Sequence, residues 1–466
     1  MNEKKRLLRN TGIIAVGNFG AKMISFLLLP LYTSILSTTE YGTYDFIVAA
    51  STFLLPIVTM SMHEAMFRFI IDTGREGKKF DEIISNSAFI VLVGVFCSGL
   101  IMFGLDRFTN LENVIYIWFY VSANALYSFS NNFLRGLGKI KEYAIISSGK
   151  NILQLIINVI VVAVFRWGMH GLLLSMCTSE VLAVLIVVIA SKMWRNISLS
   201  SINKKQIKEM MAYSLPLIPN ALSAQIINIS DRIIISTYMG KAPNGIYSVS
   251  YKFPNIIETV YHYFYTAWSE SASRVFNTGK EKAEKYYQSL LKTVNSFIFS
   301  VIICMIAGMP ILFRLFIRGD YVSGYSYVPL LMLAMYFDSL SKFYSGIFTA
   351  LKETKVIATT TVIAAIVNVS VNVLLIGKIG LLAAALSTLI ATFVLFVLRS
   401  ASIGKMLKVQ LDVKTIILEV AVCIIILLLY DYDCVWKLIC NVIIAGTYSL
   451  FSNRSIITSM VKKTKQ

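Results

Sequence analysis

Several ionisable residues of this 466-residue chain stand where a membrane-spanning helix should tolerate them least. Lys22 lies inside the apolar stretch "GNFGAKMISFLLLPLYTSIL", eleven residues from Thr11 and so about 16 Å along a helix axis. A cation at the centre of lipid costs about 2.5–3.5 kcal/mol on an insertion scale, so it needs a carboxylate or a polar cavity. Neither Lys22 nor Lys252 has a carboxylate three or four residues away along the chain. Both therefore point to a water-filled, cation-lined cavity. Glu180, Glu258 and Asp338 are the carboxylates expected to couple such a cavity to a proton or sodium gradient. Glu64 with Arg68, and Asp338 with Lys342, are spaced i,i+4; each pair either locks its helix internally or faces the cavity. Asp231 and Arg232 are adjacent and so point to different faces, with Asp231 free to pair with a neighbouring helix. Lys150 and Lys292 lie within two turns of a helix end, where a long side chain snorkels to water. Pro30 and Pro254 interrupt their helices as hinges or as static kinks.

Other chemistries lack their residues. His63, His170 and His262 are far apart, the six cysteines form no C-x-x-C pair, and no G-x-x-x-x-G-K-[ST] loop occurs. The cysteines read as small core residues. No metal or cofactor is expected, and any driving force comes from an ion or substrate gradient. The outer loops are too short to house a folded catalytic site, so an enzyme is not expected.

These residues are carried by a chain that is 56% hydrophobic and 15% charged, with mean hydropathy +0.70. Recurrent apolar runs of bilayer-crossing length make it an all-α polytopic membrane protein; a barrel would show short alternating segments instead. About fourteen spans are expected, near 11–36, 44–70, 84–105, 112–134, 144–165, 170–190, 213–238, 245–269, 288–313, 325–350, 356–377, 379–398, 414–430 and 435–451. The aromatic run "YHYFYTAW" (261–268) reads as an interfacial belt. The basic start "MNEKKRLLRN" leads into a run too long for a signal peptide, hence an uncleaved first helix.

The net charge of +18 is distributed by side and does not point to nucleic acid. Lys and Arg crowd alternate loops, from Lys4, Lys5 and Arg6 through Arg135, Lys204 and Lys352 to the tail. The positive-inside rule then puts both termini in the cytoplasm.

The two halves repeat. "EYGTYDF" pairs with "PNGIYSV", "DTGRE" with "NTGKE", and "LGKIKEYA" with "LKETKVIA", at offsets of 203, 205 and 214 residues. Both copies start on the same side, which makes a parallel duplication of a six-helix unit. The expected organisation is a bundle over 1–200, a second over 201–400, and an additional helix pair with a basic tail over 401–466. Gln225 falls at the position of Lys22 in the second copy, so the cavity is expected to be asymmetric.

The stretches "LPLYTSILSTTEYGTYDF" (29–46) and "SLPLIPNALSAQIINISDRIIISTYMGKAPNGIYSVSYKF" (214–253) resemble the Wzx-type oligosaccharide flippases. These are the polysaccharide-transport branch of the multidrug/oligosaccharidyl-lipid/polysaccharide exporter superfamily. The likeness runs over essentially the whole chain and implies a V-shaped bundle like that of the multidrug exporters. It also implies transport of an undecaprenyl-diphosphate-linked oligosaccharide repeat unit across a bacterial cytoplasmic membrane, for O-antigen, capsule or exopolysaccharide synthesis. Polymerase and other polysaccharide-assembly proteins are the implied partners, beside the lipid-linked substrate and the bilayer. Under this resemblance Lys22, Arg68, Gln225, Arg232 and Lys252 are the candidates for the diphosphate and sugars, since desolvated Lys and Arg bind phosphate strongly. Lipid II flippases of the superfamily use arginines from their first, second and eighth helices. Here Lys22, Arg68 and Lys252 match in charge but not throughout in residue type, which favours the Wzx-like branch. An ion-coupled multidrug exporter is the alternative, disfavoured by a cationic cavity, and a polysaccharide-modifying membrane enzyme is less favoured still.

Overall fold

The computed structural model describes residues 26–73, 77–109 and 113–454. Sixteen α-helices occur among the described residues, with no strand. They are α1 (Leu29–Ile35), α2 (Thr38–Val58), α3 (Met62–Thr73), α4 (Lys78–Thr109), α5 (Val114–Gly136) and α6 (Ile140–Asn158). Then come α7 (Gly168–Ser191), α8 (Lys204–Ser214), α9 (Leu217–Tyr238), α10 (Lys241–Phe276) and α11 (Lys280–Phe316). The last are α12 (Val328–Leu351), α13 (Thr354–Ile379), α14 (Leu381–Met406), α15 (Val413–Leu428) and α16 (Val435–Ser452). Among the described residues eight helices are long and apolar enough to cross a membrane by length and composition, which makes this an integral membrane protein. The expected fourteen spans exceed that number because helices such as α10 and α12 carry charges, and α15 is only 16 residues long.

The chain divides into two compact units, one running to Ser236 and the other from Thr237. In the first, a core forms where α3 and α4 present apolar residues at helical spacing to α5. Met62, Met66 and Ile70 meet Ile83, Ile84, Phe129 and Phe133, all buried. In the second, Trp268 of α10 stacks on Phe343 of α12 with ring centroids 4.4 Å apart. Its indole N–H donates to the Phe343 carbonyl at 2.9 Å.

Three local features depart from the sequence reading. The expected second span is two helices, because Met60 and Ser61 take left-handed backbone conformations (φ 48° each) between α2 and α3. Such a conformation costs a residue with a Cβ roughly 1–2 kcal/mol. The aromatic run is not simply a belt: Tyr261 and Trp268, seven residues apart and thus on one helix face, are both buried. All six cysteines are free, but none is fully buried, and Cys97, Cys304 and Cys440 are exposed.

The two prolines also differ from each other. Pro30 lies in the first turn of α1, where its missing N–H breaks no helix hydrogen bond. Pro254 is buried inside α10, which continues through it.

Candidate functional site

Each unit holds its own cluster of charged groups inside its helices. In the first unit, Glu180 on α7 is 1% exposed and lies 3.6 Å from the ammonium of Lys150 on α6. Asn124 of α5 donates to the same carboxylate oxygen at 3.2 Å. The Lys150 ammonium also sits 4.6 Å from the ring centroid of Tyr127, a cation–π contact. Lys150 therefore points to a buried carboxylate and does not simply snorkel.

The same unit buries a second pair. The Arg232 guanidinium of α9 donates through Nε to Asp45 of α2 at 2.7 Å, and both Asp231 and Arg232 are buried. The candidate phosphate-binding arginine is thus neutralised by a carboxylate 187 residues away in sequence.

In the second unit, Lys342 of α12 lies 2.7 Å from Asp338 one turn before it and 3.2 Å from Glu258 on α10. This group is partly open, with Lys342 and Glu258 about a third exposed. Two carboxylates surround one ammonium, and the buried Arg399 guanidinium lies near enough to interact with Asp338, so the four groups are formally neutral together. Arg399 on α14 lies deeper, 4% exposed, and is held by neutral acceptors. Its guanidinium donates to Ser345 Oγ (2.8 Å), Thr361 Oγ1 (3.0 Å), Thr360 Oγ1 (3.2 Å) and the Ser341 carbonyl (3.2 Å). Several donors fanned from one plane are what arginine offers and lysine does not.

Asn124 and Asp338 occupy matching positions in the two copies, separated by the same 214 residues as "LGKIKEYA" and "LKETKVIA". Each takes part in its unit's cluster.

The remaining candidates are placed as follows. Lys22 lies outside the described residues. Arg68 is half exposed and pairs with Asp72 at 3.3 Å, not with Glu64. The next turn competes for the same guanidinium, and Glu64 lies beside His63 at 3.9 Å. Gln225 and Lys252 are half-buried on α9 and α10. Glu180 is brought to Lys150, while Glu258 and Asp338 meet at Lys342. Sequence spacing did not single out Asp45 or Arg399, since the partners of each lie on other helices. Among the described residues no three His, Cys, Asp or Glu side chains converge to hold a metal.

Comparison with known proteins then separates fold from family. The polysaccharide biosynthesis protein family matches residues 7–269, more than half of the chain. The chain belongs to that family. The MatE family matches residues 216–374, and together the two matches place the chain in the multidrug/oligosaccharidyl-lipid/polysaccharide exporter superfamily. An uncharacterized membrane protein of Methanocaldococcus jannaschii, MJ1068, is 21% identical, covering 99% of this chain and all of that one. The structure is similar to the lipid II flippase MurJ in an inward closed conformation, with TM-score 0.74 and 16% identity. That match covers 96% of this chain and 99% of MurJ. An inward-facing multidrug resistance transporter of the MATE family matches with TM-score 0.68 and 14% identity, over 84% of this chain and 94% of its own. At these identities the likeness concerns the fold alone.

Proposed function

We propose that this transporter is a flippase, moving an undecaprenyl-diphosphate-linked oligosaccharide repeat unit from the cytoplasmic to the outer leaflet. It acts by alternating access in the bacterial cytoplasmic membrane, with both termini inside, and serves O-antigen, capsule or exopolysaccharide assembly. The observation that carries this reading is the polysaccharide biosynthesis family match across residues 7–269, on a chain whose fold is shared with a lipid II flippase. The chemistry supports it. Lys22 and Lys252 supply cations for a diphosphate, Gln225 a polar group for sugars, and the lipid tail needs no polar site.

Arg232 contributes less charge than the sequence suggested, because Asp45 accepts its hydrogen bond. Glu258 and Asp338, the partly open carboxylates around Lys342, are the candidates for a coupling cation. The second reading, a multidrug exporter driven by an ion gradient, draws on the MatE match over 216–374.

A deletion strain complemented with the wild-type gene tests the proposal. Without the gene, lipid-linked repeat units should accumulate on the cytoplasmic leaflet, and complementation should restore surface polysaccharide. Normal surface polysaccharide in the deletion strain, with no second flippase present, refutes it. Drug sensitivity that changes while polysaccharide does not would favour the exporter. Lys22→Ala restoring full export would remove that lysine from the site without touching the flippase reading.

A further inference from the structure

Glu419 is a buried carboxylate that belongs to none of the charged clusters above. Glu419 of α15 is 4% exposed, and among the described residues no Lys, Arg or His nitrogen lies within ion-pair distance. Its neighbours are neutral and come from three other helices. Asn295 of α11 donates through Nδ2 to Glu419 Oε1 at 2.6 Å. The hydroxyl of Tyr336 on α12 lies 2.9 Å from Glu419 Oε2 and 2.6 Å from Asn295 Oδ1. Tyr448 of α16 donates to Glu419 Oε1 at 3.3 Å.

Asn295, Tyr336 and Glu419 thus close a three-membered ring of hydrogen bonds, and a ring of three contacts needs three protons. The asparagine amide puts one into the ring through its N–H edge, its other edge being an acceptor. The tyrosine hydroxyl has one. A carboxylate has none. A tyrosine proton shared between two acceptors would weaken both contacts, whereas a proton on Glu419 satisfies all three; the count is the same if the amide is turned over, so it does not depend on which amide atom is nitrogen. With Glu419 as a carboxylic acid the ring runs in one direction: Asn295 N–H to Oε1, Oε2–H to the Tyr336 oxygen, Tyr336 O–H to Asn295 Oδ1.

The surroundings favour the same form. An apolar cavity of about 400 Å³ adjoins Glu419 and is walled by Phe299, Leu389, Ile390, Phe393 and Cys423. The titratable groups facing Glu419 are Tyr336 from α12, Tyr448 from α16 and Cys423 from its own helix; α14 presents only apolar side chains to the cavity. From α11, Lys292 lines a separate polar cavity of about 290 Å³ with Asp412, which reaches Asn295 and Tyr448 but not Glu419. An isolated ionised carboxylate against apolar walls is strongly disfavoured.

We propose that Glu419 is a proton-binding site that fastens the C-terminal helix pair to α11 and α12. Binding forms the Oε2–H bond with a proton from water. Release breaks that bond, returns the proton to water, and leaves the ring one proton short. The Tyr336 hydroxyl must then choose between the carboxylate and Asn295, and one of the links from α12 is lost. This inference stands apart from the flippase reading, because its test needs no transport.

The test is infrared spectroscopy of the purified full-length protein at about pH 6, where an ordinary glutamate is ionised, comparing wild type with Glu419→Gln. Glutamine supplies one donor and one acceptor in the same shape as the acid, so it preserves the ring. The difference spectrum should show loss of one protonated-carboxyl carbonyl band and no loss of carboxylate. In wild type, resistance to unfolding should fall as pH rises from about 4, where the unfolded carboxyl titrates, through the mildly acidic range, and this component should vanish in the glutamine variant. Loss of a carboxylate band instead, or the same pH dependence in both proteins, overturns the proposal. Tyr336→Phe is the second variant should Glu419→Gln fail to fold. Removing the hydroxyl should shift the frequency of the protonated-carboxyl band, and an unchanged spectrum refutes the ring.

Discussion

The Lys150–Glu180 pair makes an unequal prediction for its two partners. Lys150→Met leaves Glu180 with the Asn124 hydrogen bond at 3.2 Å, while its second oxygen, buried, has no hydrogen-bond partner. Breaking a buried pair so that one charge is stranded costs about 3–5 kcal/mol. Glu180→Gln strands the lysine instead, but Lys150 retains the face of Tyr127 at 4.6 Å. A cation–π contact is worth about 0.5–2 kcal/mol, which lowers the expected loss by that amount. The lysine variant should thus be less stable than the glutamine variant by about 0.5–2 kcal/mol, a ratio of roughly 2–30 in unfolding equilibrium. The double variant Lys150→Met with Glu180→Met removes both charges and should be more stable than Lys150→Met alone. Unfolding of full-length protein in mixed micelles, followed by intrinsic tryptophan fluorescence, measures all of these. Adding Tyr127→Leu to Glu180→Gln should abolish the difference between the two single variants. Equal losses in the singles, or a double variant whose loss is their sum, would refute the reasoning.

Gly94→Ala should destabilise the first unit by roughly 1–3 kcal/mol, because a Cβ on α4 would overlap the Val58 carbonyl at the end of α2, and backbone cannot swing aside. Gly346→Ala would press on the buried Trp268 indole, which its stacking and hydrogen bond to Phe343 hold in place, and should also destabilise in the same unfolding assay. Arg399→Lys keeps the charge but cannot reach Ser345, Thr360 and Thr361 together; a stability loss on the order of 3 kcal/mol is expected. Asp431, in the loop between α15 and α16, accepts from Lys437 and from the amides of Asp433 and Cys434, which holds its carboxyl below its ordinary range. Its folded-state affinity for the proton is lowered, so its contribution is present above about pH 4 and lost as pH falls further. Hydrogen exchange at the Cys434 amide should rise on that acid side in wild type, and Asp431→Asn should weaken the dependence.

The helices of this chain were largely legible because apolar runs of bilayer length have one economical structure. Their interruptions were less so. Nothing in "VTMSMHE" marks Met60 and Ser61 as left-handed, since neither is the glycine or asparagine that usually adopts that backbone. The i,i+4 rule found Asp338–Lys342 and failed at Arg68, where Glu64 and Asp72 stand at equal distance on either side. Spacing cannot choose between two partners that fit it equally. Lys150–Glu180 and Asp45–Arg232 join different helices, and a single sequence holds no sign of which faces will meet. The aromatic run was misread for a related reason: Tyr261 and Trp268 share a face, and only the packing of α12 against it makes that face interior.

The matching positions of Asn124 and Asp338 have a consequence for how such a protein can change. An amide and a carboxylate have nearly the same shape, and their codons differ by a single base, so one substitution exchanges a neutral group for a charged one without repacking the helix. Two positions related by the same sequence offset supply that choice twice. One copy can hold its polar centre neutral, as Asn124 does beside Glu180, while the other is free to acquire or shed a charge and be selected for a new ion dependence.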